Sequence, residues 1–332
     1  MWAILVRLST FGHSFAGATL PHQLETERRH LHVAYLLILV LAILVSPGSA
    51  RIAAAAAPTF VGTFTNPGLC SPRGVGLSPS GDVFVGSDCL NPHIERFSAG
   101  GGFLGTWGLP PHYQGSPNGV ALDGSGNVFV TDFDGSRVWK LSSSGALITS
   151  WASLSAPIAV TVDHSGDVYV VELTGQRVLK FATNGSFLGV IGSAGTGPGQ
   201  FQEPNGIALD ASGRIYVADP GRQRILRFLA NGSFDMEFTP PGPPYDVAVG
   251  PDGDIYVIRF DVNQIYQYSP DGVLKLSFAS PYGLDGAYRI AIGPTGAIYI
   301  SEQSATRITE FQIDQTTDAV RSTLGRLKAM YR

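Results

Sequence analysis

The sequence has few of the residues on which metal and redox chemistry depend. Among its 332 residues are 2 cysteines, 3 methionines and 7 histidines, and only 14% of residues are charged. Neither cysteine belongs to a motif that ties it to a histidine, so neither is a candidate nucleophile. No Ser-His-Asp order, phosphate-binding loop or paired-cysteine motif occurs. The formal net charge of −4 argues against a nucleic-acid binder, which is expected to present a basic face.

Glycine, by contrast, is abundant at 41 residues, and one glycine is shared by all copies of a sequence repeat that occurs six times. The copies are GVGLSPSGDVFVGSD (Gly74–Asp88), GVALDGSGNVFVTDF (Gly119–Phe133), AVTVDHSGDVYVVEL (Ala159–Leu173), GIALDASGRIYVADP (Gly206–Pro220), DVAVGPDGDIYVIRF (Asp246–Phe260) and RIAIGPTGAIYISEQ (Arg289–Gln303). The shared glycine recurs every 40 to 47 residues, and no stretch within the repeats has the pattern of a long amphipathic helix. A period of about 40–45 residues with several short strands per unit predicts an all-β propeller with one four-stranded antiparallel blade per repeat.

Each repeat divides into four short strands in the same way. A strand of small residues is followed by a turn and by a second strand that carries one aromatic residue in a fixed register: Phe84, Phe129, Tyr169, Tyr216, Tyr256 and Tyr299. Alternation places that side chain on one face of the sheet, where we expect it to pack against the next blade.

The sixth repeat has no convincing fourth strand after Phe311. The segment Thr59–Phe64 (TFVGTF) has the character of a fourth strand but has no blade in front of it. We expect it to complete blade six, because closing the ring removes open sheet edges. The sequence therefore predicts a six-bladed propeller over residues 58–313.

The fourth repeat also supports a family resemblance. Gly192–Asp210 (GSAGTGPGQFQEPNGIALD), followed by IYVADPGRQRILRF, closely resembles an NHL repeat, and weaker matches extend over about Pro58–Gln312. The resemblance implies a six-bladed NHL propeller. It implies no single function, because NHL propellers include peptide-amidating lyases, sensor domains, RNA-binding regulators and exported proteins of other kinds.

The two ends of the chain lie outside the repeats. Residues 1–57 form a leader in which Val33–Val45 is an uninterrupted apolar run of 13 residues. A membrane span needs about 20 apolar residues, so we interpret the run as a signal-peptide core and expect a secreted protein, with an uncleaved N-terminal membrane anchor as the alternative. In the tail, residues 314–332, helical spacing of Val320, Leu324, Leu327 and Tyr331 predicts a short amphipathic helix.

Export and an even cysteine count predict a disulfide between Cys70 and Cys89. A second pairing recurs within four of the blades. In each of them an acid ends the second strand, and an arginine begins the third strand five residues later. The pairs are Asp132/Arg137, Glu172/Arg177, Asp219/Arg224 and Glu302/Arg307, whereas blade five has Arg259 and Gln264 at these positions. Because both members change together, we interpret them as structural ion pairs rather than as a metal site.

The loops that enter the inner strands converge at the channel mouth, where propellers usually bind ligands. At the third position of these entries, three blades have glycine and one has alanine, but blades five and six have Asp246 and Arg289. A break in a consistent pattern is where a functional site is expected. We therefore predict a pocket on the side of blades five, six and one, and its residues suit a ligand that bears a carboxylate or sulfate. The predicted residues are Arg73, Tyr245, Asp246, Arg259, Tyr288 and Arg289. The alternative is that Asp246 pairs with Arg289 or Arg259 and that the departures are repeat drift.

An enzyme remains the second hypothesis. Zinc lyases of the NHL type need several histidines at the channel, and His93, His112 and His164 lie away from the entry positions. Calcium-dependent, lactonase-like propellers use oxygen ligands, for which Asn118, Asn205 and Asp246 are the candidates. The leading interpretation is an exported, monomeric NHL propeller without a cofactor that binds a protein or a small anionic ligand. The alternative is a calcium- or zinc-dependent lyase or lactonase. A membrane is expected as a partner only through an uncleaved leader.

Overall fold

The computed structural model describes residues 57–313 apart from residue 114, and these residues form six four-stranded antiparallel sheets. Numbered along the chain, the first strand is β1 (Thr59–Phe64). Blade one consists of β2 (Pro72–Leu77), β3 (Val83–Ser87), β4 (His93–Phe97) and β5 (Phe103–Gly108). Blade two consists of β6 (Pro117–Leu122), β7 (Val128–Asp132), β8 (Arg137–Leu141) and β9 (Leu147–Ala152). Blade three consists of β10 (Pro157–Val162), β11 (Val168–Glu172), β12 (Arg177–Phe181) and β13 (Phe187–Ile191).

The second half of the ring repeats this order. Before blade four, β14 (Ser193–Ala194) and β15 (Gln200–Phe201) form a small parallel pair. Blade four consists of β16 (Ile207–Leu209), β17 (Ile215–Asp219), β18 (Arg224–Phe228) and β19 (Phe234–Phe238), with one 3-10 turn at Pro220–Arg222. Blade five consists of β20 (Asp246–Val249), β21 (Ile255–Arg259), β22 (Gln264–Tyr268) and β23 (Leu274–Phe278). Blade six consists of β24 (Ala287–Ile292), β25 (Ala297–Glu302), β26 (Arg307–Gln312) and β1.

The strand β1 closes the ring, as the sequence predicts. It pairs antiparallel with β26, so that Thr59 lies opposite Gln312 and Phe64 lies opposite Ile308. The first described strand therefore completes the last blade. The inner strands β2, β6, β10, β16, β20 and β24 contact one another in turn around the central channel.

The core consists of six apolar clusters, each between two successive blades. The recurring aromatic residue of the second strand is buried in every blade and lies in the cluster shared with the next blade, as predicted. The shared glycine closes the turn after each inner strand with a positive φ, such as +90° at Gly81 and +82° at Gly296. Glycine adopts this conformation without a steric penalty, which accounts for its recurrence.

Antiparallel connectivity gives the propeller two distinct faces. The inner strands begin at the mouth face, so the second strands end there and the third strands begin there. The outer strands therefore begin at the opposite face. Within the described residues no helix is long and apolar enough to span a membrane. The predicted leader, with its apolar run Val33–Val45, and the predicted helix of the tail lie outside the described residues.

Candidate functional site

The channel mouth is narrow because small residues let neighbouring inner strands approach closely. A Cβ atom added at Gly119 would come within 2.9 Å of the Ala159 Cα, and one added at Gly206 would collide with the Asp246 side chain. The inner strands enclose a cavity of ≈ 240 Å³ along the channel. Asp246 and Arg289, which break the small-residue pattern, lie side by side at the mouth end of this channel.

The Arg289 side chain is buried and connects four blades. Its Nη1 lies 3.4 Å from Asp246 Oδ1 of blade five. Its Nε donates to the Asn118 carbonyl of blade two at 3.1 Å, and its Nη2 donates to the Ile158 carbonyl of blade three at 3.0 Å. The other Asp246 oxygen accepts from the Ile290 backbone N–H at 2.9 Å. The guanidinium thus has partners on every nitrogen and closes the centre of the mouth.

Burial affects the Asp246 carboxyl group strongly. Desolvation raises its pKa above the ordinary value, and the attraction of Arg289 works in the opposite direction. The arrangement satisfies the rule that a buried charge needs both an opposite charge and hydrogen bonds. It also matches the alternative in which Asp246 pairs with Arg289.

A second arginine, Arg73, lies closer to the surface. Its Nε donates to Asp88 at 2.7 Å, and its Nη1 donates to Asn118 Oδ1 at 3.0 Å and to the Tyr288 hydroxyl at 3.1 Å. The Tyr288 hydroxyl in turn donates to Asn118 Oδ1 at 3.0 Å. The Arg73 side chain is 22% exposed, and its Nη2 has no hydrogen-bond partner among the described residues. Arg73 is therefore a fixed, partly exposed cation with one donor nitrogen available.

Aromatic rings connect this cation to the surface of blade five. The ring centroids of Phe260 and Tyr245 are 5.4 Å apart, and those of Tyr245 and Tyr288 are 5.0 Å apart. Arg73 lies over the Tyr288 ring at 5.4 Å, and Arg289 lies over the same ring at 5.2 Å. Burial and the neighbouring Tyr288 raise the pKa of Tyr245 to about 12, so its phenol is neutral at physiological pH. We call Phe260, Tyr245 and Tyr288 the aromatic row.

Asn205 lies beside Tyr245, the middle ring of the aromatic row, at the entry of blade four. Its side chain contacts Tyr245, and the residue is only 6% exposed. Its Oδ1 atom is buried and has no hydrogen-bond partner among the described residues. An unpaired buried acceptor is costly, so this oxygen is a candidate for contact with a ligand donor.

The structure brings together five of the six predicted ligand-binding residues but not Arg259. That guanidinium donates to the Asp261 carboxylate at 3.1 and 2.5 Å and to the Pro241 carbonyl at 2.9 Å. It also lies over the Tyr266 ring of its own blade, at 5.9 Å. Arg259 thus braces a loop of blade five, and the expectation of three converging arginines is wrong for this residue.

The candidate metal ligands Asn118, Asn205 and Asp246 do not form a suitable cation site. Asn118 Oδ1 already accepts hydrogen bonds from Arg73 and Tyr288, and Asp246 is held by Arg289. A calcium or zinc ion among these oxygens would lie beside the buried Arg289 guanidinium, and like charges repel strongly in such a medium. Within the described part of the chain, no group of three or more histidine, cysteine, aspartate or glutamate residues could hold a metal ion.

The acid and arginine pairs follow the predicted pattern in three blades. The N–O distances are 2.6 Å for Glu172 and Arg177, 3.5 Å for Asp219 and Arg224, and 2.9 Å for Glu302 and Arg307. These carboxylates also accept backbone N–H groups of the entry loops, from Ser155 at 2.7 Å, Glu203 at 2.9 Å and Asp285 at 2.7 Å. The pairs therefore hold the loops that form the mouth.

Blade two departs from this pattern. The Asp132 carboxylate accepts from Trp139 Nε1 at 3.0 Å and from the Gly135 backbone at 2.9 Å. Arg137 instead donates to the Gly135 carbonyl at 3.4 Å and lies over the Trp139 ring at 5.1 Å. The predicted ion pair between Asp132 and Arg137 is thus replaced by a hydrogen bond from the Trp139 indole to Asp132. The equivalent residues of the next two blades are Leu179 and Leu226, which have no such donor.

In blade one, a disulfide connects two loops at the mouth. Cys70 and Cys89 form a disulfide with a Cα–Cα distance of 5.6 Å. It joins the loop before β2 to the loop after β3, next to the pair of Arg73 and Asp88. The entry-loop pattern predicts Arg73 at the mouth but neither Asp88 nor Phe260, because these two residues lie outside the entry positions.

Comparison with known proteins agrees with this architecture. The family model described as 6-bladed beta-propeller matches residues 152–273, and the NHL repeat model matches residues 115–141. The chain is therefore a six-bladed β-propeller in which residues 115–141 match an NHL repeat. No curated protein matches it significantly in sequence.

Several solved structures share the fold at low sequence identity. A gluconolactonase-like propeller has a TM-score of 0.59 and 18% identity, and the match covers 80% of this chain and 97% of that one. A catalytically inactive virginiamycin B lyase from Staphylococcus aureus, solved with quinupristin, has a TM-score of 0.57 and 19% identity, with 76% and 88% covered. The nidogen/laminin complex matches at a TM-score of 0.54 and 19% identity, with 62% and 79% covered. These similarities show the fold and no activity.

Proposed function

We propose that this NHL propeller is an exported binding module that recognises a short peptide or small molecule with a carboxylate or sulfate at its channel mouth. The observation that supports this best is the state of Arg73. Its Nη2 nitrogen is the available donor of a guanidinium that Asp88, Asn118 and Tyr288 already hold in place. A fixed guanidinium loses little side-chain entropy when it binds an anion.

The aromatic row gives the ligand a second point of contact. Phe260 is 41% exposed, and the row continues inward through Tyr245 to Tyr288 beside Arg73. Aromatic side chains offer a large contact area with few rotatable bonds. An apolar or aromatic group on the ligand would lie along this row while its anionic group contacts Arg73.

Asn205 gives the ligand a third requirement. Its buried Oδ1 needs a donor, and an amide N–H or a hydroxyl group would supply one. A peptide carries amide donors, apolar side chains and a terminal carboxylate within one short chain. The three features together favour a peptide with a free carboxyl terminus over a bare inorganic anion.

The enzyme alternative lacks an observation in its favour. The names of structural neighbours include a lyase and a gluconolactonase-like propeller, but two of the three candidate oxygen ligands here, Asn118 and Asp246, are already bound by Arg73, Tyr288 and Arg289. The residues at this mouth do not fit a calcium or zinc ion. We therefore derive no metal-dependent step.

The test compares short aromatic peptides as free acids with the same peptides as C-terminal amides, by isothermal titration with the full chain. We expect the free acids to bind more tightly. Replacing Arg73 by Ala should weaken the binding of the free acids by about 10–100-fold, because a hydrogen bond to a charged group contributes roughly 1.5–3 kcal/mol. The affinity of the amides should be almost unchanged. Arg259→Ala is the matched control and should change neither. Equal affinity of acids and amides, or unchanged binding by Arg73→Ala, would refute the proposal.

A further inference from the structure

The outer strands share one recurring irregularity in their register. In every blade the register between the third and outer strands shifts at one residue near the start of the outer strand, which is therefore bulged. The bulged residues, from blade six around the ring to blade five, are Val61, Leu104, Ile148, Leu188, Asp235 and Lys275. A bulge redirects a side chain, and the four aliphatic members are exposed at 54%, 47%, 50% and 51%.

The two charged members show what this position normally requires. Asp235 pairs with Arg227 at 2.6 Å, and Lys275 pairs with Asp254. Edge strands in soluble proteins are commonly protected by charged side chains. Blades four and five follow this rule, but blades six, one, two and three have an aliphatic side chain at the same exposed position. We call Val61, Leu104, Ile148 and Leu188 the apolar arc.

The segments that carry the apolar arc are themselves uncharged. Residues 98–108, 142–152 and 182–191, which form the outer hairpins of blades one, two and three, contain no charged residue, and neither does 57–64. Phe103, Leu147 and Phe187 extend the apolar surface, at 48%, 52% and 59% exposure. Exposed apolar side chains that recur at one position in four consecutive blades indicate a contact surface.

The apolar arc lies near the face opposite the mouth, where the outer strands begin. Both ends of the described chain are on this face, because β1 begins there and β26 ends there. Ile313 donates its backbone N–H to the Gly296 carbonyl, in the turn at that face. Residues outside the described range therefore join the propeller on the same face as the apolar arc.

The sequences at these ends have properties that suit a membrane. Thirteen residues separate Val45, the end of the apolar run, from Thr59, and an extended chain of that length spans at most about 45 Å. The tail contains Arg321, Arg326, Lys328 and Arg332 against Asp314 and Asp318. Basic segments of this kind are attracted to anionic lipids.

We propose that the apolar arc rests on the surface of an anionic bilayer, so that the mouth is directed into the aqueous phase. A bilayer accounts for the apolar arc, the apolar run and the basic tail together, and membrane binding by two partial signals is stronger than by one. A second copy of the chain would account for the apolar arc alone. This proposal does not depend on what the mouth binds.

The test measures where single residues lie relative to lipid. Full-length chain is bound to vesicles of phosphatidylcholine and phosphatidylglycerol, and a spin label is attached to a cysteine introduced by Leu104→Cys, Ile148→Cys, Thr174→Cys or Val262→Cys. Because Cys70 and Cys89 are paired, the introduced thiol is the reactive one. Collision with oxygen reports lipid contact, and collision with a water-soluble nickel complex reports exposure to water.

We expect the labels at 104 and 148 to collide mainly with oxygen, and those at the mouth-face positions 174 and 262 to collide mainly with nickel. Leu104→Asp, combined with Ile148→Asp, places at these positions the residue type that blade four has at Asp235, so the fold should tolerate it. In that variant a label at Leu188 should become accessible to nickel. All four labels accessible to nickel, labels at 174 and 262 in lipid, or a chain that stays off the vesicles would each overturn the proposal. Labels at 104 and 148 shielded from both reagents, in a chain that sediments as a dimer, would indicate a second copy and overturn it as well.

Discussion

Arg289 of blade six donates a hydrogen bond from Nη2 to the Ile158 carbonyl of blade three, at 3.0 Å across the channel. Blades six and three are opposite each other in the ring, so the Arg289 side chain links two opposite sides of the propeller. The same guanidinium lies 3.4 Å from Asp246 in blade five. A charge buried in this way stabilises the ring only while its partners remain in place.

The first prediction concerns the loss of this guanidinium. Arg289→Met leaves the Asp246 carboxylate buried without its counter-charge, and breaking a buried pair costs about 3–5 kcal/mol. We expect the free energy of unfolding, measured by urea denaturation, to fall by that amount. Adding Asp246→Asn to Arg289→Met should restore part of the loss, because it removes the uncompensated charge.

Arg259→Ala is the control for this experiment. Arg259 pairs with Asp261 on a carboxylate that is 44% exposed, and exposed pairs contribute about 0–1 kcal/mol. A loss in Arg289→Met no larger than the loss in Arg259→Ala would show that the guanidinium does not brace the ring.

The second prediction is a pH dependence set by Asp246. Burial raises the pKa of its carboxyl group in the folded state, so the unfolded chain releases this proton first. As pH rises from about 4, the ordinary value for aspartate, toward the raised folded pKa, ionisation favours the unfolded state and stability falls. Asp246→Asn lacks this contribution. The free energy of unfolding of the wild type minus that of the variant should therefore decrease with rising pH, and an increase over that range would contradict the prediction.

The repeats were sufficient to predict the fold. A glycine with positive φ in each inner turn and one buried aromatic residue per second strand are local requirements, so they recur in the sequence and define the blades. The orphan strand Thr59–Phe64 could be assigned to blade six because the sixth repeat lacked an outer strand. These features depend on short-range geometry, which a single sequence displays.

The site was predicted only in part. Breaks in the entry pattern identified Asp246 and Arg289 as unusual. Sequence could not show that Arg289 reaches across the channel to Ile158, because that contact depends on the closed ring. Arg259 was grouped with them because it breaks a pattern in the same blade, yet its nearest partner, Asp261, is two residues away. A comparison between repeats does not reveal a pairing such as that of Arg259 with Asp261, in which both residues belong to the same loop.

The third prediction concerns the disulfide. Replacing both Cys70 and Cys89 by Ser opens a loop with a sequence separation of 19, and a disulfide of this loop length contributes about 3 kcal/mol. We expect the midpoint of thermal unfolding to fall and the affinity for carboxylate peptides to weaken, since the bridge adjoins the loop of Arg73. A variant with unchanged unfolding would show that the bridge does not constrain the blade.

The fourth prediction concerns ring closure. Deleting residues 57–64 removes β1 and leaves β26 as an unpaired edge in blade six. Exposed edges template association, so the shortened chain should elute as aggregates in size-exclusion chromatography. A monodisperse shortened chain with native circular dichroism would contradict closure by β1.

The central claim is that a guanidinium, and not a metal ion, occupies the centre of the mouth. The most direct measurement is the metal content of the full chain by elemental analysis, after purification and dialysis without chelator, alongside Asn118→Ala and Asp246→Asn variants. The account predicts no stoichiometric calcium or zinc in any of the three. One equivalent of either metal in the wild type, lost in both variants, would contradict it and make a metal-dependent enzyme the better interpretation.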